Sequence, residues 1–373
     1  VPARSVAIAG RLSTIYPLRL PGGWNVIGTA LVSVYDPHAA DPFRFRLGDV
    51  VRFHKTGIGD RPLSFYRDIA ALPGVRLVEP HCDIYPLIRN ADLVCDTFGP
   101  GKDPHPCGHP EVELGLIRLW EHTHNAKYLD QARFFLDTRG RAQGRRLYGE
   151  YAQDHAPVLE QHQAVGHAVR LAYLFGGAAA YALSNSDPAS CRAYGSTSLE
   201  VWNDVGAHKM YITGGIGPSA ANEGFTHDYD LPNEKAYAET CAAIGLVFWA
   251  HRLLQLSCDG RYADVMERAL YNGVISGVSL DGQRFFYENP LASQGEHHRQ
   301  AWFDCACCPP NIARLLASLG EYIYGQGDNE IAVHLYVQGS AKMELGGQEI
   351  TLRQETRYPW NGAVQIELGL PAT

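Results

Sequence analysis

Through the middle of the chain, apolar residues recur every three to four positions. Glu113 to His124, Tyr128 to Leu136, Gln163 to Leu183, Ser198 to Trp202, Cys241 to Leu256 and Tyr262 to Tyr271 each carry such a face, which predicts a series of amphipathic helices. The links at Asn125-Ala126 and from Cys258 to Arg261 are short, so neighbouring helices are expected to pack antiparallel. Both flanks have a different rhythm. Ser5 to Ala9 and Val26 to Val34 read as strands around a Pro21-Gly22-Gly23 turn. Leu63 to Leu72 has helical spacing, Val75 to Val78 is a short strand after Pro73-Gly74, and Leu87 to Val94 completes an α/β rhythm. After Gly325 the pattern becomes strand-like: Ile331 to Val337, Ser340 to Leu345, Gln348 to Leu352 and Ala363 to Leu368, with Gly346-Gly347 as a hairpin turn. A single compact domain rarely changes class in this way. Four parts are therefore expected: a β-rich segment over 1–54, an α/β segment over 55–95, a helical portion over 96–325 and the start of a sheet over 326–373.

Composition narrows the class of protein. Hydrophobic residues make up 46% and charged residues 19%, as in a folded globular chain. A net charge of −8 argues against a nucleic-acid-binding face. The longest uncharged apolar run, Leu171 to Leu183, is 13 residues, short of the ~20 a membrane helix needs. No basic segment followed by an apolar one opens the chain, so no signal peptide is read and a cytoplasmic location is expected. The first 55 residues hold seven Lys/Arg against three Asp, and no Glu occurs before Glu79, which marks a boundary. Nine cysteines, two of them adjacent, suggest metal or catalysis rather than a disulfide framework.

The strongest chemical signal is Cys305-Ala306-Cys307-Cys308-Pro309-Pro310-Asn311. Two prolines are expected to hold the chain extended, with Asn311 capping a helix over Ile312 to Tyr324. The thiols then lie just ahead of a positive helix end, which favours thiolate. The plain alternative is a buried apolar pair, since free Cys packs like a small hydrophobe. In Tyr237-Ala238-Glu239-Thr240-Cys241, Glu239 and Cys241 point the same way only on extended chain, so a helix should start near Cys241. Together with Cys307 and Cys308 they offer one oxygen and three sulfurs, a set that suits tetrahedral zinc. Gly214-Gly215-Ile216-Gly217 with Asn222-Glu223-Gly224-Phe225 lacks both the P-loop Lys and dinucleotide spacing, and reads better as an active-site loop carrying Glu223. A solvated surface carboxylate is the alternative. His109 and His167 follow glycines at helix starts, where a hydrogen-bonded core histidine is the commoner outcome. Trp120, Tyr173, Trp202 and Trp249 read as core, and His297-His298 as surface.

In combination these residues resemble glycoside hydrolase family 127, the β-L-arabinofuranosidase-like enzymes, over about 96–373. The resemblance runs through His109-Pro110-Glu111-Val112-Glu113-Leu114, Ala164-Val165-Gly166-His167-Ala168-Val169-Arg170, Tyr211-Ile212-Thr213-Gly214-Gly215-Ile216-Gly217 and Leu231-Pro232-Asn233-Glu234. It continues through Ala238-Glu239-Thr240-Cys241, Arg268-Ala269-Leu270-Tyr271-Asn272-Gly273 and Cys307-Cys308-Pro309-Pro310-Asn311. It implies a mainly α fold, a partial (α/α)6 barrel followed by the start of a β-sandwich. It implies zinc on Glu239, Cys241, Cys307 and Cys308, Cys307 as nucleophile, Glu223 as acid/base, and His109 and His167 lining the sugar site. The implied partner is an arabinofuranose-containing oligosaccharide or glycoconjugate, and a homodimer is compatible with it. Retaining hydrolysis needs a nucleophile and an acid/base on opposite sides of the anomeric carbon, which this set supplies.

That family's barrel has several helices before the position of His109, whereas here the preceding residues resemble other proteins. Residues 1–54 resemble the C-terminal part of the carboxyltransferase-like chain of allophanate hydrolase and 5-oxoprolinase, through Val6-Ala7-Ile8-Ala9-Gly10, Pro21-Gly22-Gly23-Trp24-Asn25-Val26-Ile27-Gly28 and Leu47-Gly48-Asp49-Val50-Val51-Arg52-Phe53. Residues 55–95 resemble a segment of surface-carbohydrate glycosyltransferase-like proteins, through Phe65-Tyr66-Arg67-Asp68-Ile69-Ala70 and Leu87-Ile88-Arg89-Asn90-Ala91-Asp92. Impaired hydrolysis is therefore expected. The alternative is a non-enzymatic chimeric protein with a structural Glu/Cys3 zinc site.

Overall fold

The computed structural model describes residues 85–370 and three N-terminal strands, β1 (Ser5–Ala9), β2 (Leu12–Ile15) and β3 (Asn25–Thr29). The chain divides into two units: Val1–Asn90 with Trp302–Arg314, and Ala91–Ala301 with Leu315–Thr373. In the first unit β1 is central and antiparallel to both β2 and β3, with a bulge between Val6 and Ala7. The strand expected from Val26 is seen as far as Thr29. The Pro21-Gly22-Gly23 turn, the helix at Leu63 to Leu72 and the strand at Val75 to Val78 lie outside the described residues. Helix α1 (Tyr85–Thr97) takes up the stretch from Leu87 to Val94.

The second unit is mainly helical. Its long elements are α2 (Val112–Thr123), α3 (Ala126–Thr138), α4 (Ala168–Ser184), α5 (Pro188–His208), α6 (Thr240–Ser257) and α7 (Gly260–Ala269). Helix α5 starts ten residues before the predicted apolar face. Asp187 caps it, accepting from the Ala189 and Ser190 amides, and Pro188 occupies the first turn, where its missing N–H costs nothing. Helix α4 packs on α2, α5 and α6, and α6 on α7. The alanines of α4 permit close approach: a Cβ on Gly245 of α6 would meet the Ala172 Cβ at 2.8 Å.

Trp249 of α6 is fully buried at the centre of this packing. Its ring stacks on Phe175 and meets Trp202 edge-on. Its Nε1 donates to Ser198 Oγ at 2.8 Å, and that hydroxyl donates to the Phe175 carbonyl at 3.0 Å, so the indole N–H is satisfied inside the core. Trp202 and Trp249 thus act as core, as the sequence suggested.

Helix α8 (Cys308–Ala317) corrects the expectation at the double cysteine. The chain is not extended across the prolines. The helix starts at Cys308 and takes Pro309 and Pro310 into its first turn, where a φ fixed near the helical value is an advantage. Asn311 is therefore inside the helix, and its Oδ1 accepts from Arg314 Nε at 2.6 Å. The helix ends at Ala317, a short α9 (Gly320–Ile323) follows, and Tyr324 opens a strand.

Strands β4 (Tyr324–Gln326) and β5 (Ile331–Val333) pair antiparallel. Strands β6 (Gly339–Leu345), β7 (Gln348–Thr356) and β8 (Val364–Gly369) form an antiparallel sheet with β7 central. Gly346 and Gly347, both at positive φ, make the β6–β7 turn as predicted. Ile350, Leu352 and Gln354 form the buried face of β7. Among the described residues no helix is long and apolar enough to cross a membrane.

Candidate active site

Glu223 is held by its backbone. It sits at φ 49°, a left-handed conformation costly for a residue with a side chain. Three contacts over-determine it. The Glu223 carbonyl accepts from the Ala168 amide at 3.1 Å, Gly224 exchanges hydrogen bonds with Ser219, and the Phe225 amide donates to the Gly166 carbonyl at 2.9 Å. A Cβ at Gly224 would lie 1.8 Å from the Gly166 carbonyl oxygen, so only glycine lets the loop lie this close to the start of α4. The glycines of this region serve close backbone approach rather than a phosphate.

The side chain of Glu223 meets three donors. Tyr237 Oη donates to Oε1 at 2.9 Å, Tyr151 Oη donates to Oε2, and His167 Nε2 lies 3.5 Å from Oε2. His167 is the N-cap of α4, and its Nδ1 accepts from the Arg170 amide at 3.2 Å. That bond leaves the ring proton on Nε2, facing Glu223. His109 has the opposite polarity. Its Nδ1 lies 2.9 Å from the Pro110 carbonyl and must donate to it, so Nε2 is left as an acceptor. Burial pushes the His109 pKa below the ordinary histidine range, which keeps the ring neutral. The two rings meet edge-on at 6.1 Å. A donor and an acceptor thus stand side by side, an arrangement suited to hydroxyl groups.

Tyr151 lies on a 3-10 turn, Glu150–Ala152, whose Ala152 carbonyl accepts from Arg139 Nη1 at 2.8 Å. Arg139 is itself fully buried and pairs with buried Glu113 at 3.1 Å. Burial next to Glu113 drives the Cys107 pKa far up, so that thiol stays protonated and unreactive. Burial and the bond to Glu223 push the Tyr151 phenol up to about 12, which keeps its proton in place.

The metal candidates sit at two helix starts. Glu239 is the N-cap of α6, with Thr240 its first residue and Cys241 in the first turn, close to the predicted start. Cys308 opens α8, and the Cys307 and Cys308 sulfurs are 3.6 Å apart, too far for a disulfide. Glu239, Cys241, Cys307 and Cys308 each offer one ligand atom, and these atoms lie within 4.8 Å of one another. This Glu/Cys cluster is compatible with a metal site. His167, Glu223 and Glu239 form a second such group, so Glu239 belongs to both. A third group, Asp204, His208 and Asp228, is at the end of α5, where Lys209 Nζ already neutralises Asp228 at 3.0 Å. Cys241 and Cys308 are buried, while Cys307 is the more accessible sulfur of the cluster.

All seven residues singled out from sequence thus fall in or beside these groups. Tyr151 was missed, and no local pattern marks it. Tyr237 and Arg170 stand inside the quoted motifs but carried no role. Tyr237's position two residues before Glu239 is the one signal that pointed to it.

Known protein families match the chain in three stretches. The model of the β-L-arabinofuranosidase GH127 catalytic domain matches residues 86–321, and that of the GH127 middle domain matches 330–372. The model of carboxyltransferase subdomains C and D matches residues 1–45. The non-reducing end β-L-arabinofuranosidase of Bifidobacterium longum subsp. longum is 36% identical over 318 residues, 76% of this chain and 47% of that protein. The chain therefore spans about half the length of that relative. The crystal structure of a GH127 β-L-arabinofuranosidase from Geobacillus stearothermophilus superimposes with a TM-score of 0.72 at 44% identity, covering 78% of this chain and 49% of that one. At the other end, a 5-oxoprolinase component (the B-type chain) of Escherichia coli O157:H7 is 49% identical over 53 residues, 14% of this chain and 24% of that protein.

Proposed function

The chain belongs to the GH127 β-L-arabinofuranosidase family, and on that premise we propose that it is a retaining glycoside hydrolase acting on β-L-arabinofuranosides. Its helices form part of an (α/α)6 barrel, and β6 to β8 begin the sandwich that follows. The observation that carries the reading is the sharing of Glu239 between the Glu/Cys cluster and the group that holds Glu223.

Glu239, Cys241, Cys307 and Cys308 would hold a zinc ion. One carboxylate and three sulfurs suit its tetrahedral preference. Two sulfurs on one tetrahedral zinc are separated by about 3.8 Å, given Zn–S bonds of ~2.3 Å. The 3.6 Å between Cys307 and Cys308 fits that edge. A zinc ion held there would keep these sulfurs deprotonated at neutral pH.

Cys307, the more accessible thiolate, attacks the anomeric carbon, and the bond to the leaving oxygen breaks as Glu223 gives that oxygen its proton. The sugar is then carried on Cys307 as a thioether. Glu223, now a carboxylate, takes a proton from water, whose oxygen attacks the same carbon and releases Cys307. Two displacements return the original configuration. His109 Nε2 and His167 Nε2–H bind and orient sugar hydroxyls as acceptor and donor. The substrate is the non-reducing arabinofuranose of an oligosaccharide or glycoconjugate.

The test is hydrolysis of an aryl β-L-arabinofuranoside by the intact chain and by Glu223→Gln. The variant should keep its zinc and lose about 10²- to 10⁴-fold in rate, the range of a general acid/base. Unchanged hydrolysis in Glu223→Gln would remove this residue from the mechanism. Zinc bound without hydrolysis by the intact chain would favour a structural site.

A further inference from the structure

The Glu223 carboxylate has a separate phenol on each oxygen, and the two phenols differ in access. Tyr237, on Oε1, is 7% exposed, whereas Tyr151, on Oε2, is 40% exposed. Oε1 thus meets a buried phenol, whereas Oε2 lies between the exposed phenol and His167 Nε2 at 3.5 Å and is the oxygen nearer the accessible side. A carboxylic acid that delivers its proton to a substrate must carry it on the accessible oxygen. The acid proton therefore belongs on Oε2, next to the Tyr151 hydroxyl.

That placement changes what Tyr151 does during the reaction. While Oε2 is protonated it is a weak acceptor, and the phenol gains little from it. As the proton leaves for the glycosidic oxygen, Oε2 becomes anionic, and the phenol O–H turns into a charge-assisted donor to it. The bond strengthens along the reaction coordinate, so it stabilises the transition state more than the ground state. The phenol keeps its own proton throughout; only the Glu223 proton moves, to the leaving oxygen first and back from water afterwards.

Tyr151 is built to hold this position. Its backbone turn is anchored by the buried Arg139 through the Ala152 carbonyl. Its ring lies under the Arg170 guanidinium, with the carbon centre 4.4 Å from the ring centroid, and among the described residues Arg170 Nε has no hydrogen-bond partner. A cation over the ring face is attracted to it and helps to hold the ring in place.

We propose that Tyr151 is a positioning residue for the acid step: it fixes Oε2 of Glu223 as the proton-donating oxygen and stabilises the carboxylate left behind, with Arg170 stacked behind its ring. This rests on the reading of Glu223 as the acid/base. It implies a specific dependence on the leaving group. A dinitrophenyl group departs without protonation, whereas a methyl or sugar aglycone requires it.

The experiment compares kcat/KM of wild type and Tyr151→Phe on dinitrophenyl and methyl β-L-arabinofuranosides, with zinc content and thermal midpoint recorded for each. On the methyl glycoside the variant should lose about tenfold to a hundredfold, the equivalent of one hydrogen bond to a charged group. On the dinitrophenyl glycoside the loss should be under about threefold by the same reasoning. Arg170→Met should show the same pattern with a smaller loss, and it carries the test if Tyr151→Phe does not fold. An equal loss on both substrates, or none on either, overturns the positioning role while leaving Glu223 as acid/base. A wild-type chain that hydrolyses neither substrate overturns the acid/base reading, and this inference with it.

Discussion

His167 and Glu239 occupy the same place in two helices that pack together, since each is the N-cap, of α4 and α6 respectively. Neither is a residue type that helices favour there; Ser, Thr, Asp and Asn are. They differ in what they do with the position. His167 spends Nδ1 on the Arg170 amide and turns Nε2 toward Glu223. Glu239 makes no side-chain capping bond, and its carboxylate belongs to both ligand groups. One side chain combines helix capping with a contact to Glu223, while the other makes no side-chain capping bond and belongs to both ligand groups. The two positions should separate on mutation.

The largest expected effect is at Glu239. Glu239→Ala should drop metal content to background by elemental analysis and abolish hydrolysis. Retained metal at wild-type stoichiometry would remove Glu239 from the ligand set. At His167 the two duties separate. Asn keeps a good cap but lacks Nε2, so His167→Asn should lose about tenfold in kcat/KM, one hydrogen bond's worth. His167→Ala should lose this and, in addition, about 0.5–2 kcal/mol of stability from the missing cap. Equal thermal stability of the Asn and Ala variants would mean that the cap bond contributes nothing.

The smallest effect distinguishes the helices by acid. Helix α4 contains no His, Asp or Glu, whereas α6 buries His251. Burial, then Arg252, His334 and Arg118 nearby, push its pKa down from 6.5 to about 3. The unfolded chain therefore binds a proton that the folded chain refuses, and stability present above pH 6.5 is lost as pH falls toward about 3. His251→Gln should flatten the slope of thermal midpoint against pH in that window. Parallel slopes for wild type and variant would show that other groups set the acid sensitivity.

Much of the fold was legible because local spacing reports which face of a segment is buried. Apart from α5 and the first residues expected for α4, the helices from Glu113 to Tyr271 and the Gly346-Gly347 hairpin appear near their expected limits. At Pro309-Pro310 the extended chain expected from the two prolines gives way to the first turn of α8. In a first turn the missing N–H has no partner to lose, and the fixed φ assists. The apolar pattern also stops short on α5, whose polar first turns carry no apolar signal and are held by the Asp187 cap. In the site, residues within recognisable motifs were found, and Tyr151 was not. Its role depends on a turn far from Glu223 in sequence, and a lone tyrosine has no periodicity to betray it.

The sequence by itself determined the chemistry available: one carboxylate and three thiols of the right kind, a glutamate in a glycine-rich loop, and two histidines beside helix starts. It also determined the helices that carry them, because amphipathic spacing and chain stiffness act over a few residues. Only the tertiary structure decided which donor faces which oxygen. The Tyr151 and Tyr237 phenols on Glu223, the opposite polarities of His109 and His167, and the buried Arg139–Glu113 pair all join segments distant in the chain. Such contacts form only when packed helices bring those segments within hydrogen-bond reach, a condition that no local pattern encodes.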